Sequence, residues 1–219
     1  MRKTEFANGE YYHIYNRGVD KREVFLDGKD YLRFLVGMRE FNQKEAIGSL
    51  FHLDNKRKHL KALSASSLRH LVPSGLVTII CYCLNPNHFH FILRQEMDNG
   101  ISKFMHKLGM GYTNYFNKKH NRSGSLFQGP FKSISIDSNE YLLHLSVYVN
   151  ANYAIHNYSE KDWPYSSYLD YTGKREGKLC AKETILGQFD NNFLEYNKFI
   201  RTNLEYFKEK KELEKYVLE

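Results

Sequence analysis

The sequence predicts an α+β fold, in which helices pack on one face of a small antiparallel sheet. One β-prone run, Tyr11 to Arg17, is rich in aromatic and β-branched residues and ends at Gly18. Two further runs, 76–83 and 88–94, are separated by Leu84-Asn85-Pro86-Asn87, which is typical of a hairpin turn. Apolar residues recur at helical spacing between these runs. The predicted order is therefore strand, helix, hairpin, helix, strand and helix.

Three segments carry the helical spacing, namely 28–41, 101–115 and about 139–156. The last of them follows a short predicted strand over 131–136 and begins after Asp137-Ser138, which can cap a helix. We expect Tyr112 and Phe116 of the second helix to pack in the core.

The length of 219 residues and the hydrophobic share of 42% suit one domain with an appendage. We expect residues 1–175 to form the main domain, with a polar, basic insertion at about 42–74. Residues 176–219 are predicted to form a helical C-terminal extension, and we expect a solvated helix over 206–219.

The charge distribution indicates a polyanionic partner. The formal net charge is +7, and no acidic residue occurs between Asp98 and Asp137. A window this one-sided predicts a surface that contacts phosphates. Six basic residues in it are candidate DNA-binding residues: Lys103, Lys107, Lys118, Lys119, Arg122 and Lys132.

The cysteine count and the N-terminus predict a cytoplasmic protein. Three cysteines are an odd number and do not make a disulfide framework. The N-terminal residues lack the apolar core of a signal peptide, and no run of residues is long enough to span a membrane. We therefore expect no membrane partner.

His88 and His90 form the main candidate site. On a strand, side chains at positions i and i+2 leave the same face, roughly 7 Å apart along the chain, so two imidazoles can converge on one ion. Phe89 between them would point into the core. The pair follows a turn at the end of an apolar hairpin, where unsatisfied polar side chains would be costly to bury.

Two sets of residues could complete such a site. Cys81 and Cys83 would share its sheet face and form a zinc site with the histidines if Cys83 pairs with His88 and Cys81 with His90. We expect instead that both cysteines fill a buried strand. The other set, Tyr148 and Asn152, lies one helical turn apart and could supply a nucleophile and an amide oxygen.

Five motifs, in order over 11–171, resemble the single-tyrosine HUH transposases, and within them the REP-associated tyrosine transposases. They are YYHIYNRG at 11–18, CLNPNHFHFIL at 83–93, YTNYFNKKHNRSGSLFQGPFK at 112–132, YVNANYA at 148–154 and WPYSSYLDY at 163–171.

This resemblance implies a ferredoxin-like (RRM-like) core that acts on single-stranded or hairpin DNA. It also implies that His88 and His90 bind Mg²⁺ or Mn²⁺, with Asn152 as the third ligand. Tyr148 would then be the nucleophile that forms a covalent link to a 5′ phosphate. Relatives commonly have proline after the asparagine, whereas this chain has Tyr153, which predicts a different end to the helix.

Three hypotheses follow from the sequence. The chain is a DNA-cleaving and -joining enzyme, a non-cleaving binder of DNA hairpins on the same scaffold, or a zinc protein that uses Cys81 and Cys83 together with the two histidines. The sequence does not decide between a monomer and a homodimer. His13 on the first strand could neighbour the site, but we expect it to be a satisfied structural histidine.

Overall fold

A computed structural model describes residues 5–45, 75–158 and 163–217, with side chains up to Lys211. Most of the predicted insertion, residues 46–74, lies outside the described residues. In the described ranges, no helix is long and apolar enough to cross a membrane.

Four antiparallel strands of the described residues form one sheet: β1 (Tyr11–Arg17), β2 (Val77–Asn85), β3 (His88–Gln95) and β4 (Lys132–Ile136). Their order in the sheet is β2-β3-β1-β4. In the described residues, α-helices connect β1 toward β2 and β3 to β4, and with this strand order the sheet has the predicted ferredoxin-like arrangement. The central strands β1 and β3 pair with a neighbour along both edges, and most of their side chains are buried.

The hairpin between β2 and β3 is tighter than predicted. Strand β2 continues through Asn85, which pairs with His88, so only Pro86 and Asn87 form the turn. Cys83 therefore pairs with His90, and Cys81 lies opposite Ile92. The pairing that the zinc hypothesis assumed, Cys83 with His88 and Cys81 with His90, does not occur. Relative to that assumed pairing, the observed register of β2 is shifted by two residues. Cys83 is therefore on the same sheet face as His90, and Asn85 lies beside His88.

Helices cover both faces of the sheet, and the expectation of one covered face is wrong. On one side, Phe34 of α1 (Gly28–Glu40) packs against Phe89 and Phe91 of β3. Tyr112 of α2 (Gly100–Lys119) packs against Phe34, is buried as predicted, and extends the same layer. On the other side, α3 (Asn139–Asn150) lies over the histidines. Two layers arise because alternate residues of β3 bury opposite faces of the same strand.

The predicted helix over 139–156 is interrupted at Ala151. Ser138 caps its start as predicted, by accepting a hydrogen bond from the backbone of Tyr141. The Ser166 hydroxyl donates to the Asn150 carbonyl at 2.7 Å, and the Ala154 amide bonds to Ala151 instead. A short helix, α4 (Asn152–Ile155), follows the break. Tyr148 and Asn152 consequently lie on two helices that meet over β3.

The C-terminal segment packs into the second helix layer. Two short helices, α5 (Tyr168–Tyr171) and α6 (Glu183–Leu186), lead to the long helix α7 (Phe193–Val217). Tyr196 of α7 is fully buried, and its hydroxyl contacts Ser146 and Asn150 at 2.8 and 3.0 Å. The first turns of α7 are thus part of the core. The proposed division at residue 175 stays a prediction.

Candidate metal and nucleophile site

His88 and His90 project from the start of β3, on the face covered by α3 and α4. Their rings are 5.1 Å apart between centroids and nearly perpendicular. Both side chains are buried, with 8% and 7% of their surface exposed. The strand alternation that we used to predict the pair therefore holds in the structure.

Burial keeps these imidazoles neutral. Removal from water lowers the pKa of His88 to about 4 and that of the neighbouring His13 to about 4. Burial also lowers the pKa of His90, well below its ordinary value, and the other histidines add to the shift. A neutral imidazole retains the lone pair that a metal ligand needs, so both residues of the pair suit metal binding at neutral pH.

Asn152 approaches His88 from the start of α4. Its Oδ1 lies 3.1 Å from Nε2 of His88, and the Asn85 amide donates to that same oxygen at 2.6 Å. Asn85 also lies 2.9 Å from Nε2 of His88. Asn85 and Asn152 are both fully buried. The amide of Asn85 thus faces the two atoms that we predict as metal ligands.

The donor set fits a divalent ion. Ligands at about 2.1 Å from an octahedral Mg²⁺ have neighbours about 3 Å apart, close to the spacing of Nε2 of His88 and Oδ1 of Asn152. The Nδ2 of Asn152 is buried and has no hydrogen-bond partner among the described residues. A buried donor left unpaired costs about 1–3 kcal/mol, and this orientation turns Oδ1, the atom that would bind the ion, toward His88.

Tyr148 lies beside this cluster. Its ring centroid is 5.4 Å from that of His90 and 6.2 Å from that of His13, with both rings edge to face. On the other side, Tyr148 contacts Phe207 of α7 at 5.5 Å. The structure therefore brings together the tyrosine, the two histidines and the asparagine that the sequence singled out.

Two cavities open on either side of Tyr148 and His90. The basic cavity, of about 320 Å³, is lined by Tyr15, Asn16, Arg17, Asn87, His88, His90, Gln128, Lys132, Tyr148, His156 and Tyr158. The aromatic cavity, of about 880 Å³, is lined by His13, Tyr15, His90, Ile134, Tyr141, His144, Leu145, Tyr148, Asn203, Tyr206, Phe207 and Lys210. A third cavity, of about 540 Å³ beside α2, contains none of the four predicted site residues.

The predicted basic residues are dispersed over the fold. Lys132 lines the basic cavity, whereas Lys103 and Lys118 are exposed on α2, in the other helix layer. Lys119 is held by Asp27 and Asp30, each at 2.7 Å. The other two make intramolecular contacts, Lys107 with the Gln43 carbonyl at 2.7 Å and Arg122 with the Asn117 side chain at 3.2 Å.

Sequence reasoning missed several residues at the site. The sequence pattern assigned Asn85 to the hairpin turn, yet it is a strand residue whose side chain contacts both Asn152 and His88. Arg17 lines the basic cavity because β1 pairs with β3 and sets Arg17 opposite His88. The ring of His156 meets that of His88 edge to face, with centroids 4.7 Å apart, and His156 follows Asn152 by one turn, which is a helical spacing that the sequence did display.

Cys81 and Cys83 lie in the hydrophobic core. Burial raises the pKa of both thiols to about 12, which disfavours the thiolate form that zinc requires. Among residues 5–45, 75–158 and 163–211, no three His, Cys, Asp or Glu side chains are grouped so that they could hold a metal. The described geometry gives the zinc hypothesis no support.

The fold and the site together define the class of this domain: a ferredoxin-like sheet that carries a buried His-x-His pair beside a tyrosine. Comparison with known proteins then finds a related family. Residues 53–152 match the family model of IS200-like transposases, and this segment contains both histidines, Tyr148 and Asn152. The match to IS200-like transposases agrees with the family that the motifs predicted. Members of this family are typically DNA-cleaving enzymes and generally depend on a metal.

A solved structure supports the fold. The structure of a REP-associated tyrosine transposase bound to a REP hairpin is similar over 80% of this chain and 86% of that chain. The sequence identity is 15% and the TM-score is 0.53, so the likeness confirms the fold. No curated protein matches the chain.

Proposed function

We propose that this chain cuts and rejoins single-stranded DNA at or near hairpins, with the Tyr148 hydroxyl as the nucleophile. A divalent metal, Mg²⁺ or Mn²⁺, would be held by His88, His90 and Asn152. The observation that carries the proposal is the position of the Tyr148 ring, 5.4 Å from His90 and shared between two cavities.

In the proposed reaction, the phenolic oxygen of Tyr148 attacks the scissile phosphorus and loses its proton to solvent. The bond from phosphorus to the 3′ oxygen breaks, and that oxygen takes up a proton and leaves as a 3′ hydroxyl. The 5′ phosphate stays on Tyr148, so the energy of the phosphodiester is conserved and a second 3′ hydroxyl can reverse the step. When bound, the metal would neutralise and polarise the phosphate.

The two cavities suit a single strand that passes over Tyr148. Arg17 and Lys132 of the basic cavity would contact phosphates on one side of the scissile bond. On the other side, aromatic rings can stack unpaired bases, and Tyr206 presents 60% of its surface to solvent at the aromatic cavity. A duplex would bury its bases and could not use such rings.

The test is formation of a covalent adduct. The full chain is incubated with labelled hairpin-flanked oligonucleotides and Mg²⁺ or Mn²⁺, and adducts are resolved on a denaturing gel. We expect an adduct that Tyr148→Phe abolishes without loss of hairpin binding. The matched control is Tyr141→Phe, two turns earlier on α3, which also removes one hydroxyl and should still form the adduct.

Two other outcomes would contradict the proposal. An adduct that persists in Tyr148→Phe would assign the nucleophile to another residue. Hairpin binding without an adduct in either metal would favour the non-cleaving binder. Because Mg²⁺ and Mn²⁺ are supplied separately, the same assay reports which ion supports the reaction.

A further inference from the structure

Each histidine of the His88/His90 pair is held through its Nδ1 by a neighbouring side chain. Nδ1 of His88 lies 2.6 Å from Oδ1 of Asn87. Nδ1 of His90 lies 2.9 Å from Nε2 of His13. A neutral imidazole carries one proton, so these contacts decide which ring nitrogen is left with a lone pair.

For His88, the surrounding hydrogen bonds determine the tautomer. Nδ2 of Asn87 donates to the Lys21 carbonyl at 3.1 Å, and the Tyr158 hydroxyl donates to Oδ1 of Asn87 at 2.9 Å. Oδ1 of Asn87 is therefore an acceptor. His88 must donate from Nδ1, which leaves Nε2 bare toward Asn152.

We propose that His13 does for His90 what Asn87 does for His88. In this arrangement Nε2 of His13 accepts a hydrogen bond from Nδ1 of His90, so that Nε2 of His90 keeps its lone pair for the ion. His13 would be a positioning residue that acts through His90. The inference rests on the proposed metal-dependent function, and it replaces our expectation that His13 is a structural histidine.

The geometry of the two strands supports this role. Tyr15 lies directly opposite His90 and His13 opposite Ile92, so His13 is the diagonal neighbour of His90 on the same sheet face. The two imidazoles are nearly parallel, at 18°, and both are buried. The facing nitrogens are 2.9 Å apart, so one of them carries the proton that the other accepts.

The reverse arrangement would prevent metal binding by His90. If His13 donated the proton, His90 would carry its own proton on Nε2 and present a donor to the cluster. A protonated nitrogen has no lone pair for a cation. Metal ligands commonly have their other ring nitrogen bonded to an acceptor for this reason, and loss of that acceptor weakens metal binding about 10- to 100-fold.

The first test measures the tautomer of the metal-free protein. Long-range proton–nitrogen NMR spectra of the chain labelled with ¹⁵N-histidine distinguish a protonated Nδ1 from a protonated Nε2. A His90→Gln variant identifies the signals of His90. We expect His90 to carry its proton on Nδ1, and a proton on Nε2 would overturn the inference.

The second test uses two variants at position 13, with Mn²⁺ as the probe and electron paramagnetic resonance as the readout. His13→Phe keeps a ring but has no acceptor, and its affinity for Mn²⁺ should fall about 10- to 100-fold. His13→Gln can place an amide oxygen near the position of Nε2 and should bind Mn²⁺ nearly as wild type does. The control is His106→Phe, at an exposed histidine of α2.

The outcomes separate this inference from the nuclease proposal, because neither measurement involves DNA. Wild-type affinity for Mn²⁺ in a folded His13→Phe protein would overturn the role of His13 while leaving adduct formation untouched. Dependence of Mn²⁺ binding on His13 without any adduct would retain the inference and reject the nuclease. If His13→Phe does not fold, the His90 tautomer and the His13→Gln affinity still decide the question.

Discussion

Acidification should destabilise the metal-free protein through its buried histidines. Burial lowers the pKa of His13 and of His88 to about 4 in the folded state, from an ordinary value of 6.5. The unfolded chain therefore binds protons near pH 6.5, while the folded chain does not until about pH 4. The stability that these groups contribute is present above pH 6.5 and is lost as the pH falls through this interval.

The size of the loss follows from the two pKa values. At pH 5, one histidine with these values lowers the free energy of unfolding by about 2 kcal/mol relative to neutral pH. His13 and His88 together would remove about 4 kcal/mol, a large part of the roughly 5–15 kcal/mol that stabilises a typical domain. His90, whose pKa is also lowered by burial, adds to the loss in the same direction.

The assay is urea unfolding at pH 7.5 and pH 5 in the presence of a chelator. His13→Gln has no titrating side chain, so its loss of stability on acidification should be smaller than that of wild type by about 2 kcal/mol. The control His106→Gln, at an exposed histidine, should retain the full loss. Equal losses in wild type and His13→Gln would refute the conclusion that His13 is buried as a neutral imidazole.

Four further variants test the site and its surroundings. Asn152→Ala should weaken Mn²⁺ binding by at least about tenfold, as seen by electron paramagnetic resonance, and unchanged affinity would remove Asn152 from the ligand set. Lys119→Met should lower the free energy of unfolding by roughly 3 kcal/mol, because fully buried Asp30 loses its lysine. By contrast, Lys132→Met should unfold at the same urea concentration as wild type but reduce the slope of log DNA affinity against log salt concentration by about 1. If Lys119→Met reduced that slope as much as Lys132→Met does, the distinction between a structural Lys119 and a DNA-binding Lys132 would be contradicted. Ser166→Ala should cost about 1 kcal/mol in urea unfolding, since the Asn150 carbonyl loses its donor, and an unchanged midpoint would argue against that account of the helix break.

The basic window shows why charge along the chain is a weak guide to a binding surface. No acidic residue lies within the window, so its lysines appeared available for phosphates. In the fold, Lys119 meets Asp27 and Asp30 from the start of α1, far away in sequence. Only contacts between segments reveal such neutralisation, because a carboxylate need not be near its lysine in the chain.

Local patterns in the sequence predicted the elements and the principal site residues. Period-two alternation placed His88 and His90 on one face of a strand, and Ser138 marked the start of α3. These features depend on a few neighbouring residues, so the sequence carries them directly. The similarity to IS200-like transposases also followed from motifs in order along the chain.

The tertiary structure decided the features that depend on residues distant in sequence. Ser166 interrupts the helix after Asn150, and the pairing of β1 with β3 sets His13 against His90. The two-residue turn brings Asn85 to His88, which no hydrophobic pattern encodes. Which imidazole nitrogen keeps its lone pair depends on a single proton shared across 77 positions of the chain, so only the packed structure can determine it.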